Sequence, residues 1–146
     1  MEAAAAVLLM VVVGLVMWWR EKRQKTEYQT NGPRFLPGTG EFSVEVKGES
    51  HYQANLEAIC GPRKRDGENL SLRAQLVPEP NNPADRNAVR VEIAGRQVGY
   101  LSRDNAVMFR RQLSRAVECN AVIRGGWQRK GEDVGHYGVW LDIPTK

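Results

Sequence analysis

"LVPEPNNPADRNAVRVEIAGRQVGYL" (residues 76–101) is the stretch on which the fold turns. Its first half sets three prolines, three asparagines and one aspartate within residues 78–87. Proline fixes φ and stiffens the chain, and Asn and Asp side chains bond to nearby backbone amides and hold turns. The second half alternates. Val89, Val91 and Ile93 share one face, "AGR" (94–96) makes a tight turn, and "QVGYL" (97–101) runs back. A long stiff loop therefore feeds an antiparallel hairpin. A chain that only had to turn could do so in two residues, so a loop this polar is shaped to hold something. Asp85 and Asn87 also have a plainer use, fixing the turn before the strand.

The neighbouring segments continue the pattern. "LSLRAQLV" (70–77) points Leu70, Leu72, Ala74 and Leu76 one way, and "FSVEV" predicts a first strand over Phe42–Val46. Between them, Leu56, Ile59 and Cys60 lie at helical spacing with Gly61 as a stop, and "PRKRDGEN" (62–69) reads as a basic loop. Ser102 is placed to cap a helix over "RDNAVMFRRQLSRAV" (103–117), with Ala106, Phe109, Leu113 and Ala116 as its buried stripe. "NAVIRGGW" (120–127) and "YGVWLDI" (137–143) supply two more strands. Short strands with two helices in about a hundred residues predict a mainly β (α+β) domain, a small, partly open β-barrel.

Residues 3–19, "AAAAVLLMVVVGLVMWW", hold no charge, and as a helix would cover about 25 Å. Trp18 and Trp19 suit a bilayer interface, and "REKRQK" (20–25) follows. A cleaved leader would carry small residues where the tryptophans stand, and a core helix would not be apolar all round. Residues 1–25 are accordingly expected to be a transmembrane anchor with a basic flank, and the lipid bilayer a partner. Because the basic cluster follows the span, the expectation is a single-pass membrane protein with its C-terminal domain cytoplasmic. Residues 26–41, rich in Gly, Pro and Thr, read as a linker, and 42–146 as the domain. Cys60 and Cys119 form no C-x-x-C pair and read as buried thiols of a reducing compartment. The "NLS" at Asn69–Ser71 matters only if the domain faces outside.

Signatures of catalysis are missing. No G-x-x-x-x-G-K-[ST], G-x-S-x-G or H-E-x-x-H occurs. His51, Cys60, Cys119 and His136 match no metal-ligand spacing. A binding domain without enzyme activity, metal or cofactor is expected. Residues 42–146 carry 16 basic and 13 acidic side chains, the basic ones mostly arginine, whose fork suits phosphate. Arg63, Lys64 and Arg65, with Arg124, Arg129 and Lys130 around "RGGWQRKG" (124–131), are candidate phosphate contacts, though solvated surface is the plain alternative for each.

"V-x-G-E-x-x-Y-Q" (46–53), "L-V-P-E-P-N-N-P-x-D-x-N-A-V" (76–89), "V-G-Y-L" (98–101) and "Y-G-V-W-L-D-I" (137–143) together resemble the HIRAN domain, over essentially all of residues 42–143. The resemblance implies an OB-like barrel and, as in members fused to fork-remodelling ATPases, binding of single-stranded DNA at its 3′ end. It implies that Asn82 and Asp85 meet the terminal hydroxyl while aromatic residues stack on the last bases. Tyr52 is kept, and Tyr137 falls near the closing strand's aromatic position. Ala84 replaces a stacking aromatic, and Ser50 and His51 stand where an Arg-aromatic pair is usual. The expected site is therefore His51, Tyr52, Asn82, Asp85 and Tyr137, with Trp127 as another ring able to stack. The expected partner is single-stranded DNA or its 3′ end. A separate ATPase or nuclease polypeptide is a further candidate partner. The alternative from another class is a membrane-tethered protein-interaction module using the same loop face.

Overall fold

The computed structural model describes residues 32–145, together with Gly14 and Leu15. Apart from those two, the span expected over residues 3–19 and its basic flank lie outside the described residues. Among the described residues no helix is long and apolar enough to cross a membrane.

The strands are β1 (Arg34–Phe35), β2 (Val44–Glu45), β3 (Glu68–Pro78), β4 (Val89–Ile93), β5 (Arg96–Tyr100), β6 (Val117–Gly125) and β7 (Tyr137–Asp142). The helices are α1 (Gln53–Cys60), entered through a 3-10 turn over Glu49–Tyr52, and α2 (Arg103–Gln112). The long strand β3 is the spine. It pairs antiparallel with β6 over Glu68–Leu76 and with β4 over Ala74–Pro78. Alternation explains why: Ala74 and Leu76 are buried, as are Val89, Val91 and Ile93 opposite them. Ala94 and Gly95 both take positive φ, 50° and 72°, as the tight turn into β5 requires.

The six-strand order β2-β7-β6-β3-β4-β5 curls into a half-barrel whose two ends meet at one bridge, Lys47 to Tyr100. Just past β2, the Lys47 amide donates to the Tyr100 carbonyl at 2.8 Å, and the Tyr100 amide returns a bond to Lys47 at 2.9 Å. Only a glycine lets the seam close. A Cβ on Gly99 would stand 2.5 Å from both the Lys47 carbonyl oxygen and Val46 Cγ1. The barrel is filled by fully buried residues such as Val46, Leu76, Val98, Cys119, Ile123 and Leu141.

Two expectations change. The folded unit begins at Pro33, inside the stretch read as linker. Arg34 and Phe35 pair parallel with Val117 and Glu118, and the Gly40 amide donates to the buried carboxylate of Asp142 at 2.8 Å. The short segment lacks a periodic pattern, yet it finds a strand edge that β7 leaves uncovered. The second change is α2, which Ser102 caps by accepting from the Asn105 amide at 3.3 Å. It stops at Gln112, with Leu113 extended, so Ala116 is not on its buried stripe. Pairing of Val117 with Arg34 and Leu76 takes the chain into β6 first.

Candidate nucleic-acid interface

The loop between β3 and β4 is held from within. Glu79 donates its amide to the Ala88 carbonyl at 2.9 Å, and Ala88 donates to the Asp85 carbonyl at 3.0 Å. Asn82 is the keystone. Its Oδ1 accepts from the amides of Ala84 (2.9 Å) and Asp85 (3.2 Å), and its Nδ2 donates to Glu79 Oε2 at 2.8 Å. Arg90 ties the same carboxylate to β4, donating from Nη1 to Glu79 Oε1 at 2.6 Å and from Nε to Glu92 at 2.7 Å. Burial pushes the Glu79 carboxyl up, but the hydrogen bonds from Asn82 and Arg90 and the Arg90 charge outweigh it and hold the group below its ordinary value.

Asp85 divides its work. Oδ1 accepts from the Asn87 amide at 2.8 Å, which is the turn-fixing use. The second oxygen has no hydrogen-bond partner among the described residues. Tyr52, at the end of the 3-10 turn, is half-buried against β5. Burial pushes its phenol up, and the neighbouring Tyr100 and Glu79 add to the rise. Tyr52, Tyr100, Glu79, Asn82 and Asp85 thus form one linked set drawn from turn, strand and loop. His51 stands exposed one residue from Tyr52. Sequence reading passed over Glu79 and Tyr100. Both lie in the motif stretches 76–89 and 98–101, but what joins them to Tyr52 is the barrel seam, which leaves no local signal.

Tyr137 does not belong to this surface. It is 1% exposed, its ring packed against Gly126 beneath the Arg63 guanidinium, 4.8 Å from the ring centre. The Gln53 amide clasps its backbone, donating to the Tyr137 carbonyl at 3.0 Å and accepting from its amide at 2.8 Å. Burial pushes the phenol up, partly offset by Arg63, and the hydroxyl has no hydrogen-bond partner among the described residues. No base can stack on that ring. Arg63 is committed as well. Only 12% of its side chain is exposed, and it donates to the Gly135 carbonyl at 2.7 Å and to Glu57 at 3.2 Å. Both are pins between α1 and the β6–β7 hairpin, not ligand contacts.

The remaining basic candidates are exposed. Lys64 pairs with Glu68 at 2.7 Å, and Arg129 lies 3.5 Å from Asp133. Arg65, Arg124 and Lys130 have no ion-pair partner among the described residues. The Gln128 amide donates to the Lys64 carbonyl at 2.9 Å, so the 62–67 loop and the hairpin carrying Arg129 and Lys130 run side by side. Sequence proximity alone did not require that. His136 is exposed and Cys119 buried, and no three metal-ligating side chains converge among the described residues.

A six-strand half-barrel with one internally pinned polar loop beside a half-buried tyrosine gives the domain a preformed polar face. The family model described as the HIRAN domain matches residues 39–128, and the chain belongs to that family. HIRAN domains are nucleic-acid-binding modules, associated with single-stranded DNA and its 3′ ends. No curated protein and no solved structure matches the chain.

Proposed function

We propose that this chain binds single-stranded DNA and recognises its 3′ end, through the face made by His51, Tyr52, Asn82 and Asp85. The observation that carries the reading is the spare oxygen of Asp85 on a loop that Asn82 and Arg90 hold rigid. An anion repels phosphate and gains only from a donor. A terminal 3′-hydroxyl is a donor, and an internal phosphodiester is not. A loop already ordered spends little entropy on binding. Tyr52 offers a ring that unpaired bases can use and that duplex stacking hides.

The test is fluorescence anisotropy of the full chain with strands ending in a 3′-hydroxyl or a 3′-phosphate. The hydroxyl strand should bind about tenfold tighter, the worth of one hydrogen bond to a charged acceptor. Asp85→Asn should shrink that ratio, and Tyr52→Ala should weaken both strands. Binding that ignores salt would favour the protein-interaction alternative, because phosphate contacts release counterions. The domain acts by binding and not by catalysis in this reading, and nucleotide hydrolysis by pure protein would contradict it.

The same proposal keeps the domain tethered to a membrane through residues 3–19, on its cytoplasmic side. It rests on the uncharged run and the basic flank that follows. Release of the full chain from membranes by alkaline carbonate would refute the tether.

A further inference from the structure

Across the 3-10 turn from Tyr52, the barrel carries a cleft of about 490 Å³ whose lining includes Ser50, next but one to Tyr52. Two indoles border it, those of Trp127 and Trp140. Trp140 faces outward because its strand neighbours Val139 and Leu141 are buried. It folds back along β7 over a glycine, and a Cβ on Gly138 would stand 2.5 Å from the ring. Arg124, the cross-strand partner of Gly138, holds its guanidinium 5.4 Å from the ring centre. Trp127 is likewise backed by Gly135, and its indole N–H donates to Asp133 at 3.1 Å. Each ring has one flank closed by backbone and is fixed before any ligand arrives.

The charges in the cleft are mixed. Arg124 stands against Glu45 and Glu49, with the His136 ring beside them. Glu45 pairs with Lys47, while Glu49 has no ion-pair partner among the described residues. A ligand that satisfies this set needs a flat ring, a negative group for Arg124 and a donor for Glu49.

We propose that the cleft takes a further base of the same DNA strand, and that it prefers a base with an exocyclic amine. The inference rests on the single-strand binding proposed above. The base stacks on Trp140, its phosphate meets Arg124, and its amine donates to the Glu49 carboxylate. Cytosine supplies that amine at ring position 4. Uracil presents a carbonyl there, whose lone pairs face the anion and repel it. A basic peptide side chain would also suit Glu49, but it would meet the positive Arg124 beside the same ring.

The test uses the full chain and labelled 3′-hydroxyl strands of about eight nucleotides, a length within the site size of one small barrel. Oligo-dC and oligo-dU are compared. The wild-type chain should bind oligo-dC about fivefold tighter, less than a hydrogen bond to a fully desolvated charge gives. Glu49→Gln, whose amide can donate or accept, should equalise the two. Trp140→Ala should weaken both about tenfold, the effect of losing one stacked base. Should that variant fail to fold by circular dichroism, Glu49→Gln decides alone, since the half-buried Glu49 side chain makes no hydrogen bond or ion pair among the described residues. Equal binding of the two strands by the wild-type chain overturns the proposal, as does a preference that survives Glu49→Gln. Binding that needs Tyr52 but ignores Trp140 and Glu49 keeps the function and overturns the cleft. If no strand binds at all, the function falls first and the cleft with it.

Discussion

Replacing Asn82 by alanine should separate holding the loop from touching the ligand. The side chain makes three hydrogen bonds within the loop. The Ala84 amide is exposed, so water can replace that bond at little cost. The Asp85 amide belongs to a half-buried residue, and its bond is worth about 1 kcal/mol. The bond to Glu79 goes to a carboxylate with 19% of its side chain exposed, so its full charged value falls to about 1 kcal/mol after screening. Asn82→Ala should therefore cost about 2 kcal/mol, or about 8 °C in Tm for a domain of this size. The loss should depend on pH. Glu79 is held below its ordinary value, so its contribution is present above the ordinary carboxylate range and disappears as pH falls through the lowered value. Thermal melts of both chains at neutral pH and near pH ~3 should show the gap narrowing with acid. Asn82→Asp is the control. It keeps an oxygen to accept both amides but sets an anion against Glu79, so it should be destabilised at neutral pH and recover on acidification. In binding, Asn82→Ala should weaken the hydroxyl-ended strand most, because Asp85 loses the bond that places it, while Asp85→Asn should narrow the ratio with little loss of stability. A neutral-pH loss below about 0.5 kcal/mol, the level of an ordinary surface change, would refute the keystone argument. So would a loss that does not vary with pH.

Burial, with the Asp142 charge adding to it, pushes the Cys119 thiol up to about 12. Above the ordinary thiol value the unfolded chain loses that proton while the folded one keeps it, so stability should fall as pH rises toward about 12. The slope is about 1.4 kcal/mol per pH unit, and Cys119→Ala should lack it in urea titrations run across that range. A variant with the same alkaline slope would contradict this. Gly99→Ala should force the seam between Val46–Lys47 and β5 apart, at a cost of about 2 kcal/mol. Hydrogen exchange of the Lys47 and Tyr100 amides should then quicken, and unchanged protection would count against the seam as the point of closure.

Much of the barrel was legible because alternation is a local signal. The faces of β3 and β4, the Ala94–Gly95 turn and the Ser102 cap can all be read a few residues at a time. What could not be read was pairing between segments distant in sequence. Arg34–Phe35 is too short to show a period, and its place beside Val117–Glu118 exists only once β6 is built. The end of α2 is a case of the same kind, since Leu113 and Ala116 keep helical spacing while the chain needs those residues to reach β6. Glu79 and Tyr100 lie 21 residues apart, and only the closed seam sets them beside Tyr52.

Tyr137 is a different case, because the signal was present and outweighed by a resemblance. In "YGVWLDI", Tyr137, Val139, Leu141 and Ile143 share one parity, and Gly138, Trp140 and Asp142 the other. A strand buries one parity, so three aliphatic residues in register with Tyr137 put its ring inside and turn Trp140 outward. The structure follows this rule, with Tyr137, Val139, Leu141 and Ile143 all buried. Asp142 departs from it and is buried, held by the Gly40 amide where the N-terminal segment crosses the strand end. An aromatic residue that a resemblance places in a site can thus serve the core instead. The outward aromatic of β7 is Trp140, backed by Gly138 and flanked by Arg124, which is why the proposed cleft is built on it and not on Tyr137.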